Sequence, residues 1–177
     1  MTSFPFQLLP GMRTAAEALP PETLDRINQA KQAVLGRVKP SQEEINRIRS
    51  VTVRVIDAVR EAMRGQPVAI DYIEPQGSTG LKQTQLAGDS DVDLFIGVNP
   101  GVLDAHKDAS KKVLKERLKE IFTSIIKDAL VPGLTARLAP RSITFSYAEH
   151  PYLTIVVDEV KFDVVFCLNL TSIYIER

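Results

Sequence analysis

Apolar residues recur at helical spacing in the first third of this chain and again past its middle, and at alternate positions elsewhere. The stretch PPETLDRINQAKQAVLGRV sets Leu24, Ile27, Val34, Leu35 and Val38 near helical spacing, with Pro20 and Pro21 suited to its first turn and Pro40 to its end. A second helix is expected to open at Ser41, where Glu44 completes a capping box. Its stripe reads Ile45, Ile48, Thr52, Val55, Val59 and Met63, and Gly65 with Pro67 closes it. The pair reads as antiparallel helices or one broken helix, packed on one face of a sheet. Residues 68–74 read as a first strand, followed by a glycine turn and a short helical turn at 79–83. Asp91–Val98 reads as a second strand, ended by Asn99, Pro100 and Gly101. A long helix is expected over 102–130, with Val113, Leu114, Leu118, Ile121, Phe122, Ile125 and Ile126 on one side. Past Pro132 the apolar period changes from helical to alternating. That change predicts strands at 134–138 and Ser142–Tyr147, then a hairpin of 152–158 with 161–168. Helices followed by a run of strands make an α+β pattern.

The segment GSTGLKQTQLAGDSDVDLF, residues 77–95, carries the chemistry. Side chains on a strand alternate between its faces, so Asp91 and Asp93 point one way while Val92 and Leu94 point into a core. Two anions held side by side repel, and divalent metal ions remove that objection. Mg²⁺ prefers such oxygen donors and is the usual partner of phosphoryl and nucleotidyl transfer. Asp163 is the candidate third carboxylate, the one acid inside the apolar strand KFDVVFCL; it shares a face with Val165 and Cys167. An unpaired ionised carboxylate in such surroundings is costly, and a metal supplies a reason for it. A satisfied structural carboxylate is the alternative. Gly77 lets the backbone turn sharply and a phosphate approach the main chain, and Ser78 offers a hydroxyl. Lys82 is open between a phosphate contact and solvent, and Gly88 supplies the turn into the strand of Asp91. Each fragment alone is ordinary, a Gly-Ser loop or a solvated edge strand; their conjunction points to phosphate chemistry.

Composition changes little in this picture. The 177 residues suffice for one medium domain, and 44% hydrophobic with 25% charged residues is ordinary for a globular protein. No apolar run is long enough to span a bilayer. Residues 1–19 read as a loose tail, without the basic lead of a signal peptide, and 20–177 as one domain. Cys167 is the sole cysteine, so an intrachain disulfide is impossible and a cytoplasmic location is the default. With 22 basic and 22 acidic residues the net charge is zero, which counts against gripping a polynucleotide unaided. The lysines of 107–119 interleave with acids and read as a solvated helix face. Arg137 and Arg141 are open between phosphate contact and a surface role. The last stretch, NLTSIYIER, ends without a cap, which favours a chain cut after a core strand over a small complete protein.

The pattern of Gly77, Ser78, Lys82, Thr84, Leu86, Gly88, Ser90, Asp91 and Asp93 resembles the nucleotidyltransferase superfamily that includes DNA polymerase beta. The segment YAEHPY at 147–152, followed by a hairpin and KFDVVFCL, is similar to the catalytic domain of archaeal class I CCA-adding enzymes. Two departures stand out: the loop after Gly77 is one residue longer, and Phe166 stands where that family has proline. The resemblance implies a nucleotidyltransferase palm, with a mixed, mostly antiparallel sheet of about five strands flanked by helices. It implies Asp91, Asp93 and Asp163 as the catalytic, metal-binding triad for two Mg²⁺ ions, and Gly77, Ser78, Lys82 and Ser90 as the triphosphate contacts. It further implies transfer from CTP or ATP to the 3′ end of tRNA, the RNA being gripped by regions absent from this chain. An oligo- or cyclic-nucleotide synthase with the same site is the enzymatic alternative, and an idle nucleotide- or partner-binding palm the non-enzymatic one. All of this stands on three acids meeting at one divalent-ion cluster; were Asp163 to face away from the other two, or a lysine ammonium to fill the space among them, the transferase reading would collapse.

Overall fold

The computed structural model describes residues 19–80, 84–88, 91–106 and 108–170. The chain divides into two compact units, Met1–Lys39 and Pro40–Arg177. The first contributes one described helix, α1 (Pro21–Val38), with proline in its first turn, where no intrahelical N–H is required. It ends where Lys39 turns extended, its N–H still bonded to the Leu35 carbonyl.

The second unit begins with α2 (Gln42–Ala62). The Ser41 hydroxyl accepts the Glu44 N–H at 3.0 Å, as the sequence predicts. The other half of the capping box is redirected, because the Glu44 carboxylate accepts the Gly88 N–H at 2.9 Å. The first turn of α2 therefore tethers the loop that leads to Asp91. Ile48, Thr52, Val55, Val59 and Met63 of the expected stripe are buried.

Five strands form one sheet: β1 (Ile70–Gln76), β2 (Asp91–Val98), β3 (Ser142–Tyr147), β4 (Pro151–Val157) and β5 (Val160–Leu168), in the order β1-β2-β5-β4-β3. Only β2 and β5 run parallel; the other pairs are antiparallel. This is the α+β class that the periodicity predicts, with the mixed, mostly antiparallel five-stranded sheet that the resemblance implies.

Two expectations between β2 and β3 are corrected. The helix expected over 102–130 is broken into a 3₁₀ segment, Pro100–His106, and α3 (Lys111–Ile125), which restarts where the Ser110 hydroxyl accepts the Val113 N–H. The strand expected at 134–138 is instead part of α4 (Val131–Leu138). Between α3 and α4 lies a wide π turn, Ile126–Leu130, in which the Val131 N–H reaches back to the Ile126 carbonyl. A proline inside a regular helix clashes with the carbonyl four residues back. The widened turn just ahead of Pro132, which sits in the first turn of α4, lets the helical path continue through it. Leu134 and Leu138 fit a helix face as well as a strand, and the helix wins because Leu134 is buried there. Gly133 permits the close approach, since a Cβ on it would stand 2.7 Å from Ala62 Cβ on α2.

The core lies between these helices and one face of the sheet. Leu94, Ile96, Leu153, Ile155, Phe162 and Val164 are fully buried against Val55, Val59, Ile126, Leu130 and Leu134. Each large side chain buried in this way contributes about 1.5–3 kcal/mol. Phe122 of α3 stacks on Phe166 of β5 with ring centroids 4.9 Å apart. The alternation that sends these residues inward sends Asp91, Asp93, Lys161 and Asp163 to the opposite face. Among the described residues no helix is long and apolar enough to cross a membrane.

Candidate active site

The site forms where β2 and β5 run side by side. Their register sets Asp91 opposite Lys161 and Asp93 opposite Asp163, giving a two-by-two array of three acids and one lysine on the open face. The two acids of β2 and the acid of β5, some seventy residues apart in the chain, are thereby neighbours, as the three-acid motif requires.

Lys161 has no role in that motif. Its Nζ lies 2.7 Å from Asp91 Oδ2 and 3.5 Å from Asp163 Oδ2, so an ammonium does stand between two of the three acids. The side chains are 41% exposed for Lys161, 57% for Asp91 and 27% for Asp163. Among the described residues, no group of three or more acids, histidines or cysteines is set to hold a metal ion as it stands. The donors are nevertheless of the right type, hard carboxylate oxygens, and three acids against one lysine leave negative charge in excess.

Asp163 is half-buried and satisfied on its other side. Thr154 of β4 lies opposite it in register, and its hydroxyl donates to Asp163 Oδ1 at 2.6 Å. This leaves Oδ2 turned toward Lys161 and fixes the plane of the carboxylate. The Asp93 carboxyl is held above its ordinary value by burial first, then by the charges of Asp163 and Asp91, with Lys161 opposing them. Lys161 is raised above its own ordinary value, chiefly by its hydrogen bond to Asp91.

Gly77 touches the same cluster. Gln76 at the end of β1 pairs with Asp93, and Gly77 follows at φ 66°, in the left-handed region that favours glycine. A Cβ here would stand 2.9 Å from Asp93 Oδ2. The turn continues through Gly80 and is closed by a hydrogen bond from the Thr84 N–H to the Ser78 carbonyl at 2.9 Å. Lys82, Ser90 and most of the helical turn expected at 79–83 lie outside the described residues. Neither candidate arginine is a strand residue beside the acids: Arg137 belongs to α4 and pairs with Glu61 of α2, while Arg141 makes two hydrogen bonds to the Glu159 carboxylate. The YAEHPY segment forms the turn between β3 and β4, with Tyr147 paired to Pro151. Lys119 of the basic run lies over the Tyr147 ring, 4.5 Å from its centroid.

No family model matches this chain. It is 30% identical over 143 residues to a CCA-adding enzyme of Sulfurisphaera tokodaii, a match covering 80% of this chain and 27% of the relative. It is 32% identical over 145 residues to a CCA-adding enzyme of Halorubrum lacusprofundi, covering 80% of this chain and 26% of the relative. The chain therefore spans about a quarter of the length of these relatives. Among solved structures, a chain of the GLD-2/RNP-8 complex superposes with a TM-score of 0.54 at 15% identity, covering 84% of this chain and 40% of that one, a likeness of fold. Over 80% of its length the chain is thus similar in sequence to CCA-adding enzymes, and its fold is similar to that of a chain of the GLD-2/RNP-8 complex.

Proposed function

We propose that this chain carries the catalytic centre of a nucleotidyltransferase, in which a 3′ hydroxyl attacks the α-phosphate of a nucleoside triphosphate and pyrophosphate leaves. The observation that supports the reading is the grouping of Asp91, Asp93 and Asp163 on one open sheet face beside the Gly77 turn. The three carboxylates fit Mg²⁺ in donor type and in their surplus charge. When bound, a pair of Mg²⁺ ions would lower the pKa of the attacking hydroxyl and neutralise charge on the triphosphate. Asp91 and Asp93 would hold them from β2 and Asp163 from β5, with Thr154 orienting Asp163. The Gly77 backbone and the Ser78 hydroxyl would receive the phosphates, and Lys82 and Ser90 belong to the same proposed set. CTP and ATP as donors and the tRNA 3′ end as acceptor are the favoured substrates, because the relatives are named CCA-adding enzymes. RNA binding and a cytoplasmic location are parts of the same proposal.

The test incubates the protein with labelled CTP and ATP, with and without tRNA lacking its terminal CCA. The expected result is Mg²⁺-dependent labelling of tRNA with pyrophosphate release. Asp91→Asn should lower it by about a hundredfold or more, with an unchanged circular dichroism spectrum. Full turnover in that variant would refute the assignment. Label in short or cyclic nucleotides without tRNA would point to an oligo- or cyclic-nucleotide synthase. No pyrophosphate release under any of these conditions would leave an idle palm that binds nucleotide or a partner.

A further inference from the structure

We propose that Lys161 is an internal counter-cation that competes with the divalent ion for Asp91 and Asp163, and so sets the apparent metal affinity of the site. The inference rests on the metal site proposed above and adds a residue to it. Its basis is the register of β2 and β5, which puts Lys161 in the same array as the three acids. The Lys161 ammonium is within ion-pair distance of one oxygen on each of two acids. An ammonium and a divalent ion cannot share that position, so one must leave for the other to enter.

Withdrawal of the lysine is cheap. Its side chain is 41% exposed, and its flexible unbranched arm can carry the charge into water without unpacking the core beneath. Pairs this exposed are weak and salt-screened. The lock is accordingly a light one, strong enough to neutralise part of the acid cluster and weak enough for a divalent ion to open. Thr154 supports the exchange by holding Asp163 Oδ1, so that Oδ2 keeps its direction when Lys161 departs.

The test is Mn²⁺ affinity in the absence of nucleotide, read from the electron paramagnetic resonance signal of free Mn²⁺. Lys161→Gln should bind Mn²⁺ about three- to tenfold more tightly than wild type, the scale expected from losing exposed ion-pair competition. Lys161→Arg, which keeps the charge, should stay near wild type, and Asp163→Asn should bind more weakly. Equal or weaker binding by Lys161→Gln, with Asp163→Asn still weakened, would overturn the role of Lys161 and leave the metal site standing. Unchanged binding in Asp163→Asn, or none in wild type and Lys161→Gln alike, would remove the metal site and this proposal with it. A second readout needs no variant. In the wild-type protein the Lys161 side-chain NMR signals should move to the positions of a solvated lysine with the same midpoint as Mg²⁺ binding. Signals that stay at their ion-paired positions in saturating Mg²⁺ would also overturn the proposal.

Discussion

At the scale of single residues, Asp93 feels the crowding of the site most directly. Burial, then Asp163 and Asp91, raise its carboxyl above the ordinary value of 3.8, against the pull of Lys161. An acid raised in the folded state gives stability that is full below its unfolded value and lost as pH climbs through the raised one. In buffer free of divalent ions, the melting temperature of wild type should therefore fall relative to Asp93→Asn as pH rises from the ordinary carboxylate value of 3.8 toward neutrality. A difference that stays constant across that range would contradict burial and charge crowding as the cause. The three acids are legible in the sequence because each stands in an apolar, alternating strand. Lys161 is equally legible, since it lies two residues before Asp163 and so on the same strand face. A pattern of metal donors passes over it, because an ammonium competes for the acids and ligates nothing. Thr154 could have been found by counting outward from the two-residue turn at Asp158 and Glu159, which pairs it with Asp163. Lys82 and Ser90 stay as sequence proposals.

At the scale of elements, the open face owes its shape to a contact between strands. The Tyr72 ring of β1 lies across Gly97 of β2, so close that a Cβ there would stand 2.2 Å from the ring. Its hydroxyl reaches Cys167 Sγ on β5 at 3.4 Å. That hydrogen bond, followed by burial, pushes the hydroxyl up to about 12. Gly97→Ala should lower stability by about 1–3 kcal/mol through this clash, read as a shift in urea midpoint with unchanged slope. A loss under about 0.5 kcal/mol, the range of an uninvolved surface substitution, would show that the ring moves aside freely. Glycine within a strand pattern signals such a close approach, yet the sequence does not say what approaches. The stretch 134–138 misleads for a related reason. Its leucines satisfy a strand and a helix alike, and the choice is made by α2, against which α4 packs through Gly133 and Ala62.

At the scale of the whole molecule, charge balance bears on the proposed RNA substrate. Twenty-two basic residues against 22 acidic ones give no general field for a polyanion. The chain on its own should bind tRNA no more tightly than about 10⁻⁶ M at physiological salt, the edge of the non-specific range, with a shallow salt dependence. Fluorescence anisotropy across a salt series checks this, and nanomolar affinity would show that a local basic surface suffices. The sequence by itself determined the α+β class, most strand positions and the three acids. Those follow from periodicity, and periodicity is local: which face a side chain takes depends on its own strand. It could not determine that β2 and β5 lie next to each other and parallel, in the register that opposes Asp93 to Asp163. That pairing joins segments about seventy residues apart, and it is settled by the core beneath, where Leu94 and Ile96 meet Val164 and Phe166 in the same register. Tertiary structure alone therefore decided that three separate acids form one cluster, and that a lysine stands among them.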